Sequence, residues 1–388
     1  MDFARTAFSR SRPNDPEKDI FNSIRMDEAL SVVIKELIHR NRIDPIRIGN
    51  VITGCAFQAV ENWLYGGRHP VLLAELPVEI PGLAIDMACS SSMMAAIIGA
   101  LAIKADESKI VLAGGMEHMT HVPINNNPHI IPNHRLLVRP EYAKYMMNIG
   151  YNMGLTAEKL AEENGIGRVE MDEFALRSHR LAAESQELGW FNDEIHPIQV
   201  EHNNEMIVVG ADQSIRSDTT KAQIMNLPPV FRNDGVITAG NSSPINAGAS
   251  VLMIMSEEEM RRSEVAPIAK IKAFSWTGVD PSSMGKGPIP ASRKALEKAG
   301  LDADEIDYWE INEAFAVVVL YGARELEIDL NRVNVHGGAI AIGHPLGASG
   351  ARIMGTLARI LQEKHAKFGV ATVCVGGGQG VATVLERV

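Results

Sequence analysis

The apolar positions of this chain fall into two alternating kinds of run. Residues 27–43 carry a helical period, with Ala29, Leu30, Val32, Val33, Leu37 and Ile38 recurring at three- and four-residue steps. Asp44-Pro45 supplies a turn, and 48–52 reads as a strand. A second strand, 83–87, is followed at once by Cys89, and the apolar character resumes over 93–104 as a helix. Residues 109–113 form another strand, closed by Gly114-Gly115. The last third repeats the order: helix 291–299, turn 300–306, strand 308–311, strand 333–335, a Gly-rich turn, helix 351–363, and strand 368–375 entering Gly376-Gly377-Gly378. Each half therefore runs helix, strand, strand, turn, helix, strand, glycines. Short spacers between alternating strands and helices predict a layered α/β fold that is duplicated within the chain.

The stretch between the two halves has another character. His, Asn and Pro cluster between His118 and His134, two helices follow at 157–163 and 171–188, and the segment from Trp190 through the charged run to Asp218 reads as surface structure. Strands return at 251–255 and 268–273. The division expected is a first half of 1–115 with 246–265, an inserted mixed α/β loop domain of 116–245, and a second half of 266–388.

Composition narrows the field. With 388 residues the chain exceeds one simple core. A formal net charge of −11 opposes a protein that coats nucleic acid or anionic membrane, while leaving room for a polyanionic ligand held by a few local cations. The 83–103 stretch is too polar in its first half to span a membrane. Cys55, Cys89 and Cys374 show no paired spacing, which suits a reducing compartment, and no apolar signal segment opens the chain, so a cytoplasmic protein is expected.

Nucleotide and metal readings find little support. There is no P-loop, and too few residues follow Gly376-Gly377-Gly378-Gln379-Gly380 to complete a dinucleotide-binding unit. His118, His121, His129 and His134 lack cysteine partners and any H-E-x-x-H spacing, so loop histidines, and no metal, are expected.

Cys89 is a better centre. Alone, a cysteine after an apolar run reads as an inert core thiol, but at a helix N-terminus unpaired N–H groups and the helix dipole favour its thiolate. If the halves pack about a pseudo-dyad, their equivalent turns meet. That brings Cys89 towards His344 in Gly343-His344-Pro345-Leu346-Gly347, towards Cys374 at the end of the last-named strand, and towards Asn312. Cysteine with histidine is the arrangement of an activated thiolate nucleophile. A second cysteine, its pKa tuned towards neutrality, serves as a proton carrier, and glycine-turn N–H groups serve as oxyanion donors.

Cys89-Ser90-Ser91-Ser92-Met93, Gly114-Gly115-Met116-Glu117, Thr238-Ala239-Gly240-Asn241-Ser242-Ser243, Met284-Gly285-Lys286-Gly287-Pro288, Asn312-Glu313-Ala314-Phe315, Gly343-His344-Pro345-Leu346-Gly347 and Cys374-Val375-Gly376-Gly377-Gly378 occur in that order. Together they resemble the signature blocks of thiolases over nearly the whole chain. The resemblance implies a five-layered αβαβα fold of two duplicated halves, assembled as a homodimer or homotetramer. It implies thiolytic cleavage of a 3-oxoacyl-CoA in fatty acid β-oxidation, with coenzyme A as co-substrate, no permanently bound cofactor, and a β-oxidation multienzyme partner as an option. In that scheme Cys89 is the nucleophile and His344 activates it. Cys374 carries the α-proton, Asn312 holds a water, and the N–H groups of Cys89 and Gly376 form the oxyanion hole. Ser243 would touch pantetheine and Arg216 the nucleotide end of CoA, while Met153 and Met284 would line the acyl pocket.

The sequence departs from that pattern in places. The first strand is short or missing, Ser90 stands where a glycine is common, and Ala247 replaces an aspartate; Gln223 and Ile224 fall where several relatives have other CoA contacts. Three alternatives stay open. One is an acetoacetyl-CoA thiolase running the Claisen condensation. Another is a decarboxylating or HMG-type condensing enzyme of the same superfamily, which would not need Cys374. The last is a non-catalytic CoA- or lipid-binding scaffold subunit.

Overall fold

A computed structural model describes residues 1–124 and 127–388. Its strands, in chain order, are β1 (Asp2–Arg5), β2 (Ser9–Arg10), β3 (Asn50–Gly54), β4 (Gly82–Ile85), β5 (Ile110–His118), β6 (Ile198–His202), β7 (Glu205–Val209), β8 (Asn246–Met255), β9 (Lys270–Gly278), β10 (Tyr308–Ile311), β11 (Phe368–Val375) and β12 (Gln379–Glu386). The longer helices are α1 (Met26–Arg40), α2 (Ser91–Lys104), α3 (Met153–Asn164), α4 (Arg168–Glu187), α5 (Pro288–Ala299), α6 (Ala316–Glu325) and α7 (Leu346–Glu363).

Two sheets carry the fold. The first has the order β1-β8-β5-β3-β4, with β2 also on β8, and the second β9-β12-β11-β10. In each, one crossover strand runs parallel to its neighbour (β3 on β5, β10 on β11), and the next two pairings are antiparallel. The duplication seen in the sequence is thus a duplication of sheet topology.

Side chains on the two faces of these strands enter different cores. Leu112 and Val251 join α1 in one apolar cluster, while their neighbours Val111 and Leu252 face a second cluster shared with Met93, Ala96, Ile353 and Leu357 of α2 and α7. In the second sheet Val373 and Val381 face that shared cluster, and Val370 and Ala382 face α5 and α6. The layers are outer helix, sheet, central helix pair, sheet, outer helices, which is the five-layered αβαβα arrangement. Strands covered on both faces favour apolar residues at every position, which is why 110–116 of β5, 251–255 of β8 and 368–371 of β11 read as unbroken apolar runs. The central helices touch closely. A Cβ on Gly350 would lie 2.4 Å from the Met93 nitrogen, and Ala351 N–H donates to Ser92 Oγ at 2.8 Å.

Some expectations change. β5 does not end at Gly114-Gly115 but runs on to His118. Those glycines admit close neighbours: a Cβ at 115 would lie 2.0 Å from Gly347 O. The strand expected at 333–335 forms only isolated bridges, Trp309 with Val333 and Val335 with Gly337. Asn334, at φ 46°, breaks it, and its side-chain amide takes both backbone groups of Ile311, which a strand neighbour would otherwise pair (2.9 Å each). The segment 190–218 is not all surface. It contains the β6–β7 hairpin, and Glu194 and Asp212 are buried against Arg5 at 3.0 and 2.8 Å. A charge run looks solvated until its distant partner is placed. The first strand is present but short, four residues paired antiparallel to β8. Among the described residues, no helix is long and apolar enough to cross a membrane.

Candidate active site

The Cys89 turn is a strained elbow. Between β4 and α2, Ala88 is held at φ 44°, a left-handed conformation that costs a residue with a Cβ about 1 kcal/mol or more. Asp86 Oδ1 accepts from Ala88 N–H at 2.7 Å. Ser91 Oγ accepts from Met87 N–H and donates to Ala88 O, while Ser90 Oγ donates to Met87 O. Ser92 receives the Ala351 N–H. All three serines are committed to backbone, so they brace the elbow and are not rival nucleophiles.

Cys89 itself is buried. Burial pushes its thiol up to about 11, against the Gly376 N–H and its own N–H, both directed at the sulfur and favouring the thiolate; Glu117 and Asp86 push it further up. The helix N-terminus therefore does not lower this thiol as the sequence suggested, because desolvation outweighs the N–H groups. Cys374 is likewise pushed well above the ordinary thiol range, by burial and then by the neighbouring Cys89. It is not tuned towards neutrality. The two sulfurs are near enough for their charges to oppose each other, and each holds its proton in the resting site.

His344 lies in the turn before α7. Its Nδ1 meets Ser349 Oγ at 2.6 Å, and Ser349 Oγ donates onward to Pro345 O at 2.9 Å. The serine proton is thus committed, so Nδ1 carries the imidazole hydrogen and Nε2 keeps its lone pair. Asn312, just past β10, meets that Nε2 through Nδ2 at 3.3 Å. Burial, with the Arg352 charge beside it, lowers His344 to about 3, so the ring is neutral. Asn246 Oδ1 accepts from the His344 backbone N–H at 2.8 Å. The Oδ1 of Asn312 is buried and has no partner among the described residues, so it remains for a donor from a ligand or water.

Of the remaining expected residues, Met153 and Met284 lie at this centre, whereas Ser243 and Arg216 line surface cavities that include none of its four polar residues. Met153 opens α3 with its sulfur 3.3 Å from where a Cβ on Gly376 would lie, and Met284 is buried in the same apolar cluster as Cys374. Ser243 lines a surface cavity of about 600 Å³ with Arg10, Arg12 and Lys18. Arg216 lines an adjoining one of about 750 Å³ with Gln223 and His179. The two share Arg10, Ala239 and Pro244, so Ser243 and Arg216 flank one continuous groove. Burial, then Arg12 and Arg216, lowers the pKa of Arg10, which marks this as the place where cations crowd. Arg10, Arg12, Ser349 and Glu117 were not singled out as site residues from the sequence. Two arginines two apart beside Lys18 were the only available signal for the first pair.

Two of the loop histidines are engaged with each other and with an acidic neighbour. His118 and His121 stack at 3.6 Å, and His121 pairs with Glu61 at 3.1 Å. Among the described residues no cluster of three metal-ligating side chains occurs.

Sheets, elbow and histidine turn together define a duplicated α/β fold with a cysteine at its centre, and comparison gives the class. The family description "Thiolase, N-terminal domain" matches residues 2–258, and "Thiolase, C-terminal domain" matches 265–387. The chain belongs to the thiolase family. Among its relatives is the 3-ketoacyl-CoA thiolase of Marinobacter nauticus, 40% identical over 394 residues, covering 100% of this chain and 97% of that protein. Among solved structures, human mitochondrial 3-ketoacyl-CoA thiolase in complex with CoA superposes with TM-score 0.88 at 34% identity, covering 100% of this chain and 97% of that one. Bacillus anthracis acetyl-CoA acetyltransferase superposes with TM-score 0.88 at 36% identity, covering 100% and 98%.

Proposed function

We propose that this chain is a 3-ketoacyl-CoA thiolase, cleaving 3-oxoacyl-CoA with coenzyme A in fatty acid β-oxidation. The observation that carries the reading is the convergence on one sulfur: Cys89 lies under the Gly376 N–H and beside the Cys374 thiol. The neutral, Nδ1-protonated His344 belongs to the turn packed on the same elbow.

The steps follow from these states. Nε2 of His344 takes the Cys89 proton as the sulfur attacks the 3-keto carbon. The resulting oxyanion accepts from the N–H groups of Cys89 and Gly376, the two donors that favour the thiolate in the resting site. Collapse breaks the C2–C3 bond and leaves the acyl group on Cys89 and an acetyl-CoA enolate. His344, now bearing a proton on Nε2, and a water donating to Asn312 Oδ1 stabilise the enolate oxygen. Cys374 gives its proton to C2; a thiol kept protonated by burial suits that task. The thiol of CoA, deprotonated by the Cys374 thiolate, then attacks the acyl-Cys89 carbonyl; the Cys89–acyl bond breaks, the Cys89 sulfur takes back its proton from His344 Nε2, and the shortened acyl-CoA leaves. CoA would lie along the Arg216–Ser243 groove, its anionic end by Arg10, Arg12 and Arg216, with Met153 and Met284 beside the acyl group.

We also read the chain as three units, with bounds 1–115 plus 246–265, 116–245 and 266–388, and as a homodimer or homotetramer. The exposed apolar residues Val60, Trp63, Leu64, Tyr65, Val78 and Leu83 support a self-association face beside the edge strand β4. Three free cysteines support a reducing, cytoplasmic setting. The acetyl-CoA acetyltransferase reading is favoured by the Bacillus anthracis structure. Intact-mass analysis after incubation with a 3-oxoacyl-CoA tests the proposal: an acyl increment that maps to Cys89 is expected, and its absence overturns it. Turnover of a chain-length series separates the two branches, activity confined to acetoacetyl-CoA favouring the second.

A further inference from the structure

One buried carboxylate beside the site has no role in the steps above. Glu117, at the end of β5, is fully buried and has no cationic partner among the described residues. Three backbone N–H groups and one thiol surround it. Oε2 accepts from Ala56 N–H at 2.8 Å and from Gly347 N–H at 2.9 Å. Oε1 accepts from Phe57 N–H at 3.4 Å and faces, at 3.6 Å, the Cys55 thiol, which also meets Phe57 O. The three N–H donors favour the carboxylate against the burial that opposes it.

Those donors belong to both halves of the molecule. Cys55, Ala56 and Phe57 follow β3, and Cys55 N–H donates to Ile85 O at 3.0 Å, on the strand that leads into the Cys89 elbow. Gly347 is three residues past His344. A Cβ on Gly347 would lie 2.2 Å from Met116 O, so this turn presses directly on β5. We infer that Glu117 is a positioning residue for catalysis: by gripping the Gly347 turn and the Cys55–Phe57 segment with one carboxylate, it fixes the separation of His344 from Cys89. Its charge has a second effect. Glu117, like Asp86, opposes the Cys89 thiolate and so adds to the larger effect of burial in keeping that thiol protonated. Burial raises Glu117 itself to about 7, against the pull of the Ala56, Gly347 and Phe57 N–H groups.

The inference rests on Cys89 being the nucleophile, and the test separates the two. Wild-type protein and Glu117→Gln are compared in steady-state turnover of a 3-oxoacyl-CoA and in the pH profile of Cys89 alkylation by iodoacetamide. The amide keeps the shape but brings an N–H against a donor. Turnover should fall about 10- to 100-fold in kcat, with KM little changed, as expected when reacting groups shift by a fraction of an ångström. The alkylation profile should move to lower pH, because a negative charge near the thiol has been removed. A merely structural loss would lower both readouts together. Glu117→Asp keeps the charge and retracts it by one methylene, so kcat should fall while the alkylation profile stays in place; it also serves should the amide variant not fold. Unchanged kcat in both variants overturns the inference, as does an alkylation profile of Glu117→Gln that stays or rises. A wild-type protein that forms no Cys89 adduct overturns the functional reading instead.

Discussion

The two halves share a topology, yet their crossovers from sheet to central helix meet different surroundings. In the second half, residues 312–320 and 336–345 are buried throughout, and α4 packs on the segment between them: Arg177 donates to Leu330 O and Val333 O at 2.8 and 2.9 Å, and Ser178 Oγ donates to Glu313 at 2.6 Å. In the first half, residues 55–88 present Trp63, Leu64 and Tyr65 at 70%, 60% and 69% exposure. The inserted region is therefore a cover for one crossover only. The covered crossover carries His344 and Asn312, the proposed base and water-holding amide, in a buried setting; the open one carries Cys89, the proposed nucleophile, beside an exposed apolar face. A duplicated fold here has divided its labour by what was laid over each copy.

If that division is right, the sharpest break comes from removing the group that only the first half supplies. Cys89→Ala should abolish the acyl adduct and lower turnover on the order of 10⁴- to 10⁶-fold, as losses of a nucleophile do. Intact mass and steady-state assays read both. Retained turnover would return the chemistry to the second half and dissolve the comparison.

The open face gives the next largest effect. If the proposed homo-oligomer forms through this face, Trp63→Glu with Tyr65→Glu should convert it to monomer or weaken it by about 100-fold or more, since central aromatic anchors are each worth about 2–4 kcal/mol. Sedimentation velocity over a concentration series measures it. An unchanged sedimentation coefficient would mean that the exposed crossover is simply solvated.

How much of this was legible in the sequence follows the same line. Local signals were readable. The 3.6-residue period of 27–43 became α1, and the apolar runs became strands buried on both faces. The echo of the halves survives as two sheets of matching order. What failed depended on partners far away in sequence. Arg5 meets Glu194 and Asp212 only after folding, so the 190–218 segment looked like surface. Asn334 replaces a strand by satisfying Ile311 with its side chain, which no periodicity records. At the site, Cys89, His344, Cys374 and Asn312 were found by position in the repeat. Their protonation states were not, because desolvation is a property of the packed surroundings. Ser349, five residues past His344, was invisible as a tautomer lock until its hydroxyl was seen donating to Pro345 O.

That lock supplies the third way to sharpen the comparison. Ser349→Ala leaves Nδ1 of His344 without its acceptor, so the ring is free to place its hydrogen on Nε2, where it cannot act as base. A drop of about 10- to 100-fold in kcat, without loss of CoA binding, is expected. Single-turnover acylation reads the step directly. The dry setting of the second crossover also has a pH signature. His344 stays neutral to about 3 and His179 to about 4, mainly through burial, whereas an unfolded imidazole takes a proton near 6.5. Between those values the unfolded state binds more protons, so these two groups lower stability as pH falls. The urea midpoint of His179→Asn should therefore lose less between pH 7 and pH 5 than that of the unmodified chain.

The smallest effect tests the strain that separates the two turns. The second half reaches its chemistry through Gly343 at φ 120°, a conformation glycine adopts freely, while the first puts Ala88 at φ 44° just before the nucleophile. Ala88→Gly should relieve about 1–2 kcal/mol of local strain, partly offset by the greater freedom of glycine in the unfolded chain, for a net gain of roughly 0.5–1 kcal/mol. Turnover should move the other way, falling a few-fold, because a relaxed elbow no longer holds the Cys89 sulfur firmly under the Gly376 N–H. Thermal melting and steady-state kinetics on the same preparation give the two signs. A variant that is both less stable and less active would show that the Asp86 and Ser91 bonds, rather than strain against the alanine Cβ, define the elbow. The difference between the two turns would then lie in hydrogen bonding alone.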